Sequence, residues 1–486
     1  MVEIELKFQI PQTRRHALLK ALDPKKSQKI QLKAKYFDTP DWLLSHHKIA
    51  LRQRLEGVQW IQTLKAAKHN HIERFEHNHT IGENNQTPEL DLSIYAQDHE
   101  AQQILNSALA QDTTTLSLQF ETDIERLYRV IEIDDTQIEI CLDIGCVKSQ
   151  HKQQEIYEIE FELKHGSLTT LLHFCFEWVK KYQLWLDVRS KAELGTLLAM
   201  DLAVNPAQLA TTFQLIKKDN ADQNVRLLIA QQLHHLLPNI AAISAGVAQQ
   251  SHIDQAEIAL EHLYLTTHLF KHWSNGISEK WGYQLQAFKQ QFAHLKHFQH
   301  MQNTLGTFLQ NPNTASQLEK DILYAKEKLG HLVKSTLNVH HFLELLLFSI
   351  DQTIEQQNHD LKWYAQSTLQ QQYKHIHEAL TAASIHHMES LDQLAEYIQQ
   401  LKFSFPILTS IYDVKNLQKY YKALHDASVA AKEYQILSSS VQYIQQTELE
   451  ASDWFVLGWL TAKQEIYAER LIEATEQFMI SRKFIK

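Results

Sequence analysis

Apolar and polar residues alternate with a period of two through about the first 190 residues, in short runs joined by polar connections. The first run, VEIELKFQI, places Glu3, Glu5 and Lys7 on one face of a strand and its apolar residues on the other. Later runs of this kind are KAKYFDT, KIALRQRLE, VQWIQTLKAA, HIERFEHN, SLQFETDIERLYRVIEI, TQIEICLDIG and QEIYEIEFEL. Many short strands at close spacing predict an antiparallel barrel or sandwich, with helices at TRRHALLKAL, DHEAQQILNSAL and SLTTLLHFCFEWVKKYQL.

The pattern changes near residues 200–222, where few strand formers remain and Asn205-Pro206 is a helix start signal. Nearly every later stretch has the periodicity of an amphipathic helix, with little glycine and much glutamine, which favours a bundle of long helices. We therefore predict an α+β chain with an N-terminal β domain at residues 1–200, a connection at 201–220 and an all-α helical bundle at 221–486.

Bulk properties exclude several classes of protein. The net charge is −10 and neither half is basic, which argues against nucleic acid as the main partner. No apolar run reaches bilayer thickness and the N-terminus lacks a signal-peptide core, so we predict no membrane segment and a cytoplasmic location. Cys141, Cys146 and Cys175 have no metal or disulfide spacing, which predicts buried thiols.

The polar faces of the predicted strands carry bare charges rather than the usual mixture of Thr, Ser, Gln and Lys. The basic examples are Arg52 with Arg54, Lys65 with Thr63, Arg74 with Glu76, and Arg126 with Thr122. The acidic examples are Glu139 with Asp143, and the column Glu158, Glu160 and Glu162.

Two interpretations of these faces remain open from the residues alone. In the first, the faces are simply solvated, although glutamates side by side repel one another. In the second, the faces point into a closed barrel, where burial is costly unless a divalent cation and a polyanionic ligand compensate both signs of charge. Mg²⁺ prefers carboxylate and phosphate oxygens, and Arg and Lys bind the remaining phosphate oxygens.

Glu3-x-Glu5-x-Lys7 resembles the ExExK signature of the CYTH superfamily, the triphosphate tunnel metalloenzymes. Further matches follow in order up to about residue 195: Tyr36-Phe37-Asp38-Thr39, Leu51-Arg52-x-Arg54, Thr63-x-Lys65, Arg74-x-Glu76, Thr122 with Arg126, Glu139 with Asp143, Glu158-x-Glu160-x-Glu162, and Ser190-Lys191. The resemblance implies an eight-stranded antiparallel tunnel whose inner wall binds a triphosphate.

The helical half resembles a CHAD domain, and the order CYTH–CHAD is similar to that of bacterial inorganic triphosphatases. This resemblance implies metal-dependent hydrolysis of tripolyphosphate to pyrophosphate and phosphate, with Mg²⁺ or Mn²⁺ as cofactor. It also implies roles for particular residues. The metal ligands would be Glu3, Glu5, Asp143, Glu158 and Glu160. The phosphate-binding bases would be Lys7, Arg52, Arg54, Lys65, Arg74, Arg126 and Lys191.

Among these residues, those expected to act in catalysis are Glu3, Glu5, Lys7, Arg52, Arg54, Lys65 and Arg126. Glu76 and Glu139 would orient the bases, and Glu162 lies at the far end of its column. A metal-held water would attack the terminal phosphorus, but the sequence identifies no general base.

The helical half departs from the CHAD pattern. Where a histidine and a row of arginines are expected, the stretch IALEHLYLTTHLFKHW has Ala259, His262, Thr266 and Thr267. The resemblance implies polyphosphate binding by this half, and the missing basic row argues against it. The triplet His294, His297 and His300 could present a line of imidazoles, although exposed polar positions are the ordinary interpretation. Leu194 also stands where related sequences tend to have arginine.

The sequence leaves the exact substrate open. The same tunnel could hydrolyse ATP or thiamine triphosphate, or cyclise ATP, because the charged wall recognises only the phosphates. A non-catalytic polyphosphate-binding module is a further alternative, against which the full set of candidate metal carboxylates argues. The sequence is compatible with a monomer and does not establish the oligomeric state.

Overall fold

The computed structural model of the protein describes residues 2–68, 70–83, 87–109, 116–305, 312–351, 356–412, 417–446 and 449–481. The strands are β1 (Val2–Gln9), β2 (Gln28–Asp38), β3 (Ile49–Glu56), β4 (Gln59–Ala67), β5 (Glu73–Gly82), β6 (Ser117–Ile133), β7 (Thr136–Ser149), β8 (Lys152–His165) and β9 (Trp185–Leu186). Helices α1 (Arg15–Ala21), α2 (Leu43–His46), α3 (His99–Leu109), α4 (Leu168–Tyr182) and α5 (Lys191–Ala199) lie between or after them.

From residue 221 onward the described chain consists mainly of helices. Its helices are α6 (Ala221–Ser244), α7 (Gln250–Leu269), α8 (Glu279–Leu305), α9 (Pro312–Leu332), α10 (Thr336–Ile350), α11 (Leu361–Ala382), α12 (Met388–Thr409), α13 (Leu417–Gln445) and α14 (Ala451–Ile480). Among the described residues, no helix is both long enough and apolar enough to cross a bilayer. The predicted change from strands to helices is confirmed.

Eight of the described strands, β1 to β8, close into an antiparallel barrel in the order β1-β8-β7-β6-β2-β3-β4-β5. The ring closes where β5 returns to β1 and Glu3 pairs with Arg74. On its other side β1 pairs with β8, with Lys7 opposite Glu160. The two-residue strand β9 adds to β1 beyond this point. Closure pairs the strand edges, so the side chains of each strand alternate between an enclosed interior and an outer face.

On β3, β4, β5 and β8 the apolar face points outward and is covered by helices. Outer residues of β3, β4 and β5, such as Leu51, Leu64 and Phe75, pack with Leu105 and other residues of α3. On β8, the ring of Phe161 packs edge-on against aromatic rings of α4. Because the helices bury these apolar faces, the charged faces of the same strands are left to line the interior.

Helix α5 closes off part of the interior. Its Leu194 belongs to a buried apolar cluster with Tyr36, Phe120, Ile124 and further residues of β2, β6, β7 and β8. The position where related sequences tend to have arginine is therefore a packing position in this chain.

The sequence analysis did not predict α5, although Ser190 begins it as a cap whose hydroxyl accepts a hydrogen bond from the Glu193 amide at 3.0 Å. The spacing Ser-x-x-Glu is a helix start signal that could have revealed it.

The chain forms two compact units. One comprises residues 1–209, 233–256 and 330–347, and the other comprises residues 210–232, 257–329 and 348–486. The first unit thus contains the barrel together with parts of α6, α7 and α10. The domain boundaries at 1–200, 201–220 and 221–486 remain a prediction. The three cysteines are free and buried, as predicted.

Gly195 tests how tightly α5 is fitted to the barrel. A Cβ at this position would lie 2.1 Å from two ring carbons of Phe120. We therefore expect Gly195→Ala to lower the free energy of unfolding by about 1–3 kcal/mol through overpacking. In the matched variant Gly282→Ala on α8, the added methyl meets no atom of the described residues within 4 Å beyond its own helix backbone, so we expect unchanged or slightly higher stability. Chemical denaturation measures both, and equal effects would contradict the close fit.

Candidate active site

The predicted site residues lie on the inner faces of seven strands and on α5. They are Glu3, Glu5 and Lys7 on β1, Arg52 and Arg54 on β3, Lys65 on β4, Arg74 on β5, Arg126 on β6, Asp143 on β7, Glu158 and Glu160 on β8, and Lys191 on α5. Ion pairs join strands that are not neighbours, for example Arg126 on β6 with Glu160 on β8. Asp143 and Glu158 on the same inner wall are fully buried, so the solvated-sheet interpretation is wrong for these faces.

Three buried carboxylates form what we call the acidic trio: Asp143, Glu158 and Glu160. One oxygen of each lies within 4.8 Å of the others, a spacing that could hold a metal ion. Among the described residues they are the one such group of His, Cys, Asp or Glu. The Lys191 ammonium lies in their midst, with Nζ at 2.7 Å from Asp143, 2.5 Å from Glu158 and 2.6 Å from Glu160.

Two further cations border the acidic trio. The Arg126 guanidinium donates to both oxygens of Asp143 at 2.6 Å each and also to Glu160 at 2.6 Å. Lys7 Nζ lies 3.7 Å from a Glu158 oxygen, and this buried ammonium makes no hydrogen bond to any residue that the structure describes. Three carboxylates and three cations therefore share one buried region, which keeps its net charge near zero.

Burial and these neighbours shift the pKa values. Burial alone would raise the pKa of Glu160, but the charges of Lys191 and Arg126 outweigh it and hold this pKa well below its ordinary value. Burial likewise opposes, and Arg126 and Lys191 cause, the lowered pKa of Asp143. For Glu158 burial prevails and the pKa is raised. The pKa of Lys191 is raised well above its ordinary value, because the three carboxylates overcome the effect of burial, so it is an ammonium at neutral pH.

A second cluster forms around β1 and β4. Lys65 Nζ donates to both oxygens of Glu3, at 2.8 and 2.6 Å, and lies 3.2 Å from Glu76. Burial and the nearby Glu5 raise the pKa of Glu3 to about 7, against the opposing effect of Lys65. Despite burial, Lys65 and Arg52 lower the pKa of Glu76 to about 2. This cluster thus holds one carboxyl that titrates near neutrality and one that stays ionised.

The remaining predicted residues have other partners. Arg74 pairs with Glu5 at 3.3 Å, so Glu3 and Glu5 lie with basic partners rather than in the acidic trio. Arg54 pairs with Glu56 on its own strand. Glu139 pairs with Lys164, and so does Glu162, at 3.2 and 2.8 Å respectively.

Some residues at the site were assigned no role from the sequence, although Tyr36 stands in the matched stretch Tyr36-Phe37-Asp38-Thr39. Tyr36 accepts a hydrogen bond from Arg52 at 3.4 Å, and its ring stacks on Phe120. The buried Asp187 holds the guanidinium of Arg189 through both oxygens, at 3.0 and 2.8 Å. The Asp187 amide also donates to the Lys7 carbonyl at 3.1 Å, which fixes the chain beside β1. In the sequence, the spacing Asp187-x-Arg189 directly after β9 was the signal that could have indicated this ion pair.

Within the first unit, helical residues also approach the site. The Glu5 amide donates to the Ile72 carbonyl, and a small cavity beside Glu5 and Lys7 is lined on its other side by Leu237 of α6 and Leu346 of α10. His71 borders this cavity, stacks on the His234 ring at 4.6 Å and lies 3.2 Å from the His234 carbonyl through Nε2. Parts of α6 and α10 therefore belong to the wall that supports β1.

The histidine triplet and the stretch with the missing basic row lie in the second unit. His294, His297 and His300 do not converge into a metal-binding group among the described residues, and burial lowers the pKa of His297 to about 4. Ala259 and Thr266 are fully buried, and Thr266 accepts a hydrogen bond from Gln232. A histidine at position 259 or an arginine at position 266 would therefore have to be buried in this packing.

The fold and its interior define the N-terminal part of the chain as a closed barrel with a charged tunnel. The family model of the CYTH domain matches residues 1–193. An inorganic triphosphatase of Haemophilus influenzae is 28% identical over 166 residues, which are 34% of this chain and 44% of that protein. The chain thus matches less than half the length of this relative.

Solved structures provide two further comparisons. The CHAD domain of the plant Ricinus communis has 11% sequence identity and a TM-score of 0.49, and the match covers 57% of this chain and 96% of that one. A putative adenylate cyclase of Bacillus halodurans has 20% identity and a TM-score of 0.27, over 37% of this chain and 89% of that one.

His71 should make stability depend on pH. Burial, followed by the neighbouring His234, lowers the pKa of His71 to about 3. As the pH falls below 6.5, His71 takes up a proton in the unfolded chain but stays neutral in the folded chain. The free energy of unfolding therefore decreases between pH 6.5 and 3, by at most about 1.4 kcal/mol per pH unit. We expect His71→Gln to remove this part of the slope, measured by denaturation at several pH values. The exposed His79→Gln is the control, and identical slopes in all three proteins would contradict the assignment.

Proposed function

We propose that the barrel hydrolyses inorganic tripolyphosphate to pyrophosphate and phosphate with the help of Mg²⁺ or Mn²⁺. The observation that supports this most is the buried interior that carries many charges of both signs in one enclosed space. Its carboxylates are Glu3, Glu5, Glu76, Asp143, Glu158 and Glu160, and its bases are Lys7, Arg52, Arg54, Lys65, Arg74, Arg126 and Lys191. We further propose that the enzyme acts in the cytoplasm and is not bound to a membrane.

The donor set fits a divalent metal. The acidic trio offers three buried carboxylates with oxygens within 4.8 Å of one another, and Mg²⁺ and Mn²⁺ prefer such oxygen ligands. Asp143, Glu158 and Glu160 would hold the ion, and Glu3 and Glu5 remain candidates for further ligands. When bound, the ion would neutralise phosphate charge and increase the acidity of a bound water.

The bases would hold the phosphates. A triphosphate carries about four to five negative charges at neutral pH, which must be balanced for it to enter a buried space. Arg52, Arg74 and Arg126 offer planar N–H pairs that match phosphate oxygens, and lysines add point charges. Since these groups already point inward, they would need little rearrangement as charge develops in the transition state.

The inorganic substrate is the finer part of the proposal. The Haemophilus influenzae relative is named as an inorganic triphosphatase, and the charged wall contains groups that bind phosphate rather than a base or sugar. The direct test measures phosphate release from tripolyphosphate, ATP and thiamine triphosphate side by side, with Mg²⁺, Mn²⁺ or a chelator. We expect metal-dependent release from tripolyphosphate alone.

Other results of this assay would change the proposal. Faster turnover of ATP or thiamine triphosphate would make the enzyme an organic triphosphatase, and cyclic AMP among the products would indicate a cyclase. Binding of tripolyphosphate with no turnover under any metal condition would indicate a binding module.

Replacing one carboxylate oxygen of the acidic trio should lower activity while leaving the fold intact. We expect Glu160→Gln to lower kcat/KM for tripolyphosphate by at least about a hundredfold, because a candidate metal ligand loses its charge. The control is Glu155→Gln on the same strand, where the carboxylate is exposed and pairs with Arg15. Circular dichroism and phosphate release measure the two variants. Near-normal, metal-dependent turnover by Glu160→Gln would remove the acidic trio from the proposed mechanism.

A further inference from the structure

Lys191 lies at the point where the three carboxylates of the acidic trio converge. Its Nζ is 2.5–2.7 Å from one oxygen of each, and an ammonium has three N–H donors to match three acceptors. A divalent ion held by the same three carboxylates would need the same small space. Two cations cannot share it, because neighbouring like charges in a buried site repel strongly.

The backbone that carries Lys191 is anchored independently of these contacts. Ser190 caps the helix, Leu194 is buried in the apolar cluster, and Gly195 lies against Phe120. The Thr196 hydroxyl lies 3.0 Å from the Ser45 hydroxyl. The root of the side chain is therefore fixed, while its four methylene groups allow the ammonium to move by rotation alone.

We propose, building on the proposed function, that Lys191 is a built-in counter-cation of the metal site that exchanges with the divalent ion when a triphosphate binds. The ammonium leaves the acidic trio and moves to phosphate oxygens as the carboxylates accept the metal. Lys191 thereby couples the binding of metal and triphosphate.

The charge balance explains why the exchange needs the triphosphate. The acidic trio is already neutralised by Lys191, Arg126 and Lys7. A divalent ion added alone would leave two positive charges uncompensated in a buried region, which is unfavourable. A triphosphate supplies the missing negative charge and gives Lys191 a new partner. Metal and triphosphate should therefore each tighten the binding of the other by the same factor.

The test measures Mn²⁺ binding to the full chain by calorimetry or electron paramagnetic resonance, with no triphosphate present. We expect Lys191→Met to bind Mn²⁺ about tenfold more tightly than the wild type or better, within the range typical of coupled sites. The matched control is Lys164→Met, since Lys164 also pairs with two carboxylates, Glu139 and Glu162, outside the acidic trio. Its Mn²⁺ affinity should equal that of the wild type.

A second measurement adds a methylene-bridged, non-hydrolysable tripolyphosphate analogue. The analogue should tighten Mn²⁺ binding in the wild type and in Lys164→Met by a larger factor than in Lys191→Met. In the first two proteins Mn²⁺ must displace the Lys191 ammonium, whereas Lys191→Met has no ammonium at this place. The rise in Tm caused by Mn²⁺ alone should also be largest in Lys191→Met. If Lys191→Met does not fold, Lys191→Gln keeps a hydrogen-bonding group without the charge and serves the same purpose.

Mn²⁺ binding to Lys191→Met that is equal to or weaker than wild-type binding would overturn the exchange. So would an equal effect of the analogue in all variants. These outcomes are separate from the proposed function, which fails if the wild type binds Mn²⁺ and tripolyphosphate and releases no phosphate.

Discussion

The architecture depends on the mutual neutralisation of charges inside a closed barrel. A charge removed from water is stable only beside a charge of opposite sign, and closure of the strands leaves the inner side chains few routes to solvent. Arg126 therefore lies between Asp143 and Glu160, and Lys65 lies between Glu3 and Glu76. The outer faces of β3, β4, β5 and β8 can then be apolar and are packed under helices α3 and α4, so the placement of these two helices follows from the same separation of faces.

This balance also limits which ligands can enter. A polyanion alone or a metal ion alone would leave uncompensated charge in the interior, whereas the two together leave little. A triphosphate with a divalent cation satisfies that condition, and the proposed exchange of Lys191 at the acidic trio would couple the two. The packing of parts of α6 and α10 beside β1 indicates that the helical sequence contributes to the support of this site.

Much of the fold could be predicted from sequence because strand periodicity is local: the alternation that begins at Glu3 identifies both faces of β1. The pattern alone could not separate a barrel from a sandwich, since closure depends on distant pairings such as β1 with β5. Helix α5 was not predicted because nine residues hold too little periodicity, although Ser190-x-x-Glu193 is a helix start signal. The contacts of Lys191 could not be predicted, because they depend on how α5 packs rather than on spacing.

The central claim is that metal and triphosphate meet at the acidic trio inside the barrel. The most direct measurement is a crystal structure of the protein grown with Mn²⁺ and a methylene-bridged tripolyphosphate analogue, with Mn²⁺ located by its anomalous scattering. The account predicts a manganese peak bound by Asp143, Glu158 or Glu160, with phosphate oxygens in contact with Arg126 and Lys191. Manganese and analogue bound only outside the barrel would contradict it.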